Sequence, residues 1–165
     1  MIDILGRLLD RIMNVDNNHT FDRSTDSLEA IRDYIESITV SGKLQVAETT
    51  IDLNQAAASY TLFTGTTQDV IVEKLVITMP NIVGGGALTG ISIQTDDVTP
   101  QVFIPAATGV VANLTAEAQL AYVGAVSVHV GAQIQLTIVG GAHGAAYVCD
   151  VEVQSRAVVA GGYLA

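Results

Sequence analysis

Apolar residues recur along this chain at two different periods, and the change from one to the other divides it near residue 43. Within residues 2–13, Leu5, Leu8, Leu9 and Ile12 stand at i, i+3, i+4 and i+7, the spacing that lines one face of a helix. A helix of about a dozen residues is marginal alone in water, so that stripe requires a partner. The polar run from Asn14 to Thr20 reads as a linker. A second helix is predicted from Ser24 to Asp26 onward: Asp26 and Glu29 have the spacing of a reciprocal N-terminal cap, and Leu28, Ile31, Ile35 and Ile38 follow at helical intervals up to Gly42.

From Leu44 the period becomes two. Val126, Val128 and Val130 alternate with Ser127 and His129; Ile134, Leu136 and Ile138 with Gln133, Gln135 and Thr137; Tyr147, Cys149, Val151 and Val153 with Val148, Asp150, Glu152 and Gln154. Such alternation marks strands with one buried face. Further strands are expected around 50–53, 59–64, 69–79, 90–95 and 101–105, with breaks at Gly84-Gly85-Gly86, Thr95-Asp96-Asp97, Thr99-Pro100, Gly124, Gly131 and Gly140-Gly141. Within 69–79 the apolar phase slips from Val70 and Val72 to Leu75, Ile77 and Met79, which predicts a bulge near Glu73-Lys74. Roughly eight short strands without intervening helices predict a mainly β fold, an antiparallel β-sandwich or jelly roll, preceded by one or two short N-terminal α-helices. Residues 1–43 then form a helical attachment arm with its linker, and residues 44–165 a jelly-roll-like β domain.

Charge follows the same division. More than half of the charged side chains fall in residues 1–43, only Lys74 and Arg156 remain as bases beyond them, and no charge occurs between Glu117 and Asp150. The charged fraction is 15%, against the ~25% usual for soluble domains, so the β domain reads as a part made to sit in an assembly. A net charge of −10 disfavours nucleic acid and anionic membranes as partners. The charge-free run 118–149 is interrupted by glutamines and glycines and does not read as a membrane span; the N-terminal segment, with Asp3 and Asp10, does not read as a secretory signal.

No chemistry stands out. His19, His129 and His143 lack the spacing of a metal site, so no metal or other cofactor is expected. His19 and His143 read as solvated loop residues, whereas His129 could pack at a subunit interface. Asp96-Asp97 reads as a turn rather than a catalytic or calcium-binding pair, and Gly84-Gly85-Gly86 precedes a strand, so it has no helix N-terminus to cradle phosphate. Cys149 falls in the apolar phase and reads as a core side chain. An enzyme on a jelly-roll scaffold would need a histidine and carboxylate cluster, and no catalytic residue is assigned. Gly161, Gly162 and Ala165 are expected to suit close contact between chains.

Two segments carry a resemblance. The run from Phe21 to Asp33, FDRSTDSLEAIRD, resembles the N-terminal helix start of many tailed-phage structural proteins. The run from Ile51 to Thr64, IDLNQAAASYTLFT, resembles the first strands of jelly-roll proteins that decorate phage capsids, and Ile91-Ser92-Ile93-Gln94-Thr95 continues in kind. The resemblance implies a non-enzymatic decoration or cement protein on the capsid surface of a virion, made in the host cytoplasm. It also implies a homotrimer that grips the major capsid protein and stabilises the shell. Leu5, Leu8, Leu9 and Ile12 are then the candidate shell or trimer contact. The alternative is a tail or baseplate receptor-binding module that recognises a host surface glycan.

Overall fold

The computed structural model describes residues 43–159 and 161–165. The two helices expected before residue 43, and with them Leu5, Leu8, Leu9 and Ile12, lie outside the described residues. What is described contains nine strands: β1 (Leu44–Asp52), β2 (Ser59–Thr66), β3 (Val70–Thr78), β4 (Gly90–Thr95), β5 (Val102–Ile104), β6 (Gln119–Val128), β7 (Gln133–Val139), β8 (Val148–Ala157) and β9 (Tyr163–Leu164). One 3-10 turn, Val111–Asn113, interrupts the β5–β6 connection.

The strands form two antiparallel sheets, ordered β1-β8-β3-β6 and β5-β4-β7-β2-β9. The first eight strands, in these two orders, are a jelly roll, and β9 adds a short strand beyond β2. Alternation places the core as the sequence predicts. Cys149, Val151 and Val153 of β8 and Ile134, Leu136 and Ile138 of β7 are all buried, facing one another across the sandwich with Ile91, Ile93 and Phe63. Each such side chain contributes about 1.5–3 kcal/mol when fully taken out of water.

The bulge expected at Glu73 is present, because the register of β3 slips between Val72 and Lys74 against both neighbours. It turns the strand by one residue, so that Val70 and Val72 before it and Leu75 and Ile77 after it all reach the core. On β6 both Gly124 and Ala125 fall between the partners of Val72 and Lys74. Gly124 is therefore no break: β6 runs through it, beginning at Gln119 rather than near Val126.

The connections gather at two ends. One end holds the β2–β3, β4–β5, β6–β7 and β8–β9 connections and the start of β1; the other holds the β1–β2, β3–β4, β5–β6 and β7–β8 connections. At the second end Tyr147 is fully buried beside Leu53 and Leu114, and its hydroxyl donates to the Leu114 carbonyl at 2.9 Å. The C-terminal small residues make close contacts within the chain. A Cβ on Gly162 would lie 3.0 Å from the carbonyl oxygens of Gln68 and Asp69, and the Ala165 amide donates to Thr64 at 3.0 Å.

Candidate assembly surface

The outer faces of the two sheets differ in charge. Strands β2, β4, β5, β7 and β9 contain no Asp, Glu, Lys or Arg at all. Their solvent side is a lattice of hydroxyls and amides, in which Ser59 lies opposite Thr137 and Thr137 opposite Ser92. Ser59 and Thr137 share a hydrogen bond of 2.8 Å, Thr61 donates to Gln133 at 2.7 Å, and Gln135 donates to the same Gln133 oxygen at 2.8 Å. With these groups already satisfied by one another, covering the face removes no charge from water.

The four-stranded sheet carries the charges. Asp150, Glu152 and Arg156 alternate outward along β8, Glu48 projects from β1, and Glu73 and Lys74 from β3. Arg156 Nε donates to Glu73 Oε1 at 2.7 Å across the bulge. Three transverse rows follow from the register: Thr50–Asp150–Thr78–Gln119, Glu48–Glu152–Val76–Ala121 and Val46–Gln154–Lys74–Val123. Glu48 and Glu152 are thus direct cross-strand neighbours of like charge.

The edges differ as well. Strand β5 is three residues long, flanked by Pro100 and Pro105, and β9 is two residues long, so both offer little backbone for a foreign strand. By contrast β6 is ten residues long, uncharged, and paired among the described residues with β3 alone. Val123 on its outer side is 78% exposed.

Asp69 organises the end where β1 begins. One of its carboxylate oxygens lies 3.0 Å from His129 Nδ1, the other accepts from the Val130 amide at 3.0 Å, and its carbonyl accepts from Val158 at 3.0 Å. The pair shifts both titrations. The hydrogen bond from His129, then that from Val130, holds the Asp69 carboxyl below its ordinary range, and Asp69 in turn raises His129. His129 also borders an open depression of about 470 Å³ with Asp97, Val98, Thr99, Gln101 and Ser127. Valines tip three loops here, with Val98 fully exposed and Val130, Val158 and Val159 each about half exposed. Asp96 accepts from the Gln133 amide at 2.7 Å, a side-chain-to-backbone bond as expected, but one that reaches across to β7.

His143 departs from its expected role as a solvated residue. Its ring lies 4.6 Å from that of Tyr147, tilted by 45°, with Nδ1 at 3.0 Å from the Ala145 carbonyl and Nε2 at 3.2 Å from that of Val83, so it joins the β3–β4 and β7–β8 connections. Gly86 is needed where these loops meet: its φ is +66°, and a Cβ would run into the His143 carbonyl oxygen. Cys149 is a core side chain as expected, and burial, with smaller contributions from Asp150 and Asp52, pushes its thiol up to about 12.

No family model matches the sequence, and no curated protein does. Solved structures do resemble the fold. A chain of the cyanophage Pam1 capsid asymmetric unit matches with a TM-score of 0.50 at 12% identity, covering 86% of this chain and 95% of that one. A chain from the acid-stable capsid of Helicobacter pylori bacteriophage KHP30 covers 76% of this chain and 95% of its own, at 11% identity and a TM-score of 0.48. One from the capsid of Ralstonia phage GP4 covers 71% and 86%, at 10% identity and a TM-score of 0.43. At these identities the likeness is one of fold.

Proposed function

We infer that this protein is a non-enzymatic structural component of a tailed-phage virion, a head decoration or cement protein that trimerises and binds the major capsid protein to stabilise the shell. The observation that carries the reading is the jelly roll, in a chain of which 86% is covered by the match to a chain of a phage capsid. The segregation of charge supports it. A sandwich with one wholly uncharged sheet can be covered by a neighbour without desolvating an ion, whereas isolated charges buried in such a contact would cost several kcal/mol each. Residues 1–43, with the stripe of Leu5, Leu8, Leu9 and Ile12, then act as the attachment arm, and repetition over many copies turns a weak contact into a firm one.

Copy number in purified particles tests the reading, by quantitative mass spectrometry against the major capsid protein. A head decoration protein is present on the order of hundreds of copies, because it follows the symmetry of the shell. A few dozen copies or fewer would replace this reading with that of a tail or baseplate receptor-binding module.

A further inference from the structure

Two glycine-rich turns, Gly84-Gly85-Gly86 and Gly140-Gly141-Ala142-His143-Gly144, meet at one end of the sandwich, where the Ala87 amide donates to the Ala142 carbonyl at 3.1 Å. The Val83–Gly84 peptide group is gripped there at both of its polar atoms. Its carbonyl oxygen lies 3.2 Å from His143 Nε2, and its amide donates to the Leu114 carbonyl at 2.7 Å. The Leu114 carbonyl accepts also from the Tyr147 hydroxyl, and the Tyr147 ring lies against that of His143. The contacts therefore close a circuit through the β3–β4, β5–β6 and β7–β8 connections.

Each ring nitrogen of His143 faces an acceptor, the Ala145 carbonyl at Nδ1 and the Val83 carbonyl at Nε2. A neutral imidazole has one N–H and one lone pair, so it can donate to only one of them; the protonated ring donates to both. Such charge-assisted bonds are also the stronger kind. We propose that His143 is a pH-operated clamp: protonated, it ties the β3–β4 connection to the β7–β8 connection, and on losing a proton it keeps the shorter bond, to Ala145 in its own loop, and releases Val83. The released carbonyl belongs to the tip formed by Ile82 and Val83, whose side chains are 45% and 62% exposed, so the charge on one ring sets how firmly this apolar tip is held.

The surroundings leave that charge to His143. Among the described residues of the four connections at this end, Glu117 is the one Asp, Glu, Lys or Arg, and its amide donates to the Pro80 carbonyl. Asp52, at the close of β1, accepts through Oδ1 from the amides of Asn54 and Tyr147. Tyr147 and Cys149 stay neutral, because burial pushes both up to about 12.

NMR of the full-length protein with isotope-labelled histidine tests it between about pH 5 and 8, the range in which imidazoles change charge. At the acid limit both ring nitrogens of His143 should carry protons, and at the alkaline limit Nδ1 alone. Over the same range, after correction for the intrinsic effect of pH, the Gly84 amide should lose protection against hydrogen exchange by about fivefold or more, the share of one hydrogen bond. The Val151 amide, in a strand paired on both sides, should keep its protection. His143→Leu removes both donors and should leave Gly84 at the lower protection at both limits. Should that variant fail to fold, ring protonation and Gly84 exchange in the unmodified protein decide the matter. A ring with a single N–H at the acid limit, or Gly84 protection that does not change with pH, overturns the clamp. So does a neutral ring that keeps its proton on Nε2, since Val83 would then stay bound.

Discussion

Glu48 of β1 lies directly opposite Glu152 of β8, both on the outer face of the four-stranded sheet, with Asp150 two residues along the same side of β8. Opposed like charges in a cross-strand pair are destabilising, and reversing one turns the repulsion into attraction. Glu48→Lys should therefore raise the free energy of unfolding by about 0.2–1 kcal/mol, most clearly at low ionic strength. Urea denaturation at two salt concentrations measures it, with Glu117→Lys, in the β5–β6 loop, as a control for net charge. Equal gains in both variants would show that overall charge, not this pair, is responsible.

The Asp69–His129 pair should make the end of the sandwich where β1 begins sensitive to pH. His129 is raised from its ordinary 6.5 by its hydrogen bond to Asp69 and by that carboxylate's charge, so its contribution is complete below about 6.5 and is lost as pH rises through the folded value. Asp69 is lowered from 3.8, so its contribution is complete above about 3.8 and is lost as pH falls through the folded value. The pair is thus at full strength between these limits. Titration of the His129 ring by NMR should show a raised midpoint that falls toward the ordinary value in Asp69→Asn, where only the smaller effect of Asp97 still raises it. An identical midpoint in both proteins would mean that the contact does not persist in solution.

Tyr147 combines full burial with a hydroxyl that donates to the carbonyl of the equally buried Leu114. Tyr147→Phe keeps the packing and removes one of two hydrogen bonds to that carbonyl, which still accepts from the Gly84 amide at 2.7 Å, and should cost about 0.5–1.5 kcal/mol. Tyr147→Ala should cost about 3–5 kcal/mol, because it also removes a large core side chain. Chemical denaturation of both variants separates the two contributions; a neutral Tyr147→Phe would show that the Gly84 amide alone satisfies the Leu114 carbonyl.

Much of this core could be read directly from the sequence. Alternation from Tyr147 to Val153 placed each inward residue, and the slip from Val72 to Leu75 located the bulge, because both are local consequences of a two-residue side-chain period. What could not be read was which strands are neighbours. The pairing of Glu48 with Glu152, the bond from Tyr147 to Leu114 and the contact of His143 with Val83 join residues 104, 33 and 60 apart, and no local pattern encodes them. The two-residue β9 was too short for periodicity to register, and the glycine within β6 resembled a turn. Charge carries part of that information. Every strand bearing an outward carboxylate, β1, β3 and β8, belongs to one sheet and the uncharged β2, β4 and β7 to the other, but the uncharged β6 lies with the charged strands.

Cys149 offers a direct measure of how tightly this core is closed. Its thiol is buried and pushed up to about 12, so at pH 8 it is protonated and out of reach of a thiol reagent. Labelling of native protein should be slow and should become rapid only in denaturant, with a midpoint matching that of loss of circular dichroism. Fast labelling under native conditions would reveal a local opening of β8 below the global transition.

The attachment role proposed for residues 1–43 is tested separately from the sandwich. Leu5 and Leu8 lie on the apolar stripe predicted for residues 2–13, and an aspartate at either position places a charge where a partner must cover it. Leu5→Asp with Leu8→Asp should leave the thermal unfolding of the β domain unchanged, because that domain has its own continuous core from Ile51 to Leu164. The same variant should lose trimerisation or capsid binding, and the two losses are distinguishable. A variant that is trimeric by light scattering but fails to add to undecorated capsids assigns the stripe to the shell. One that is monomeric assigns it to the trimer. Retention of both activities would show that the arm serves neither contact.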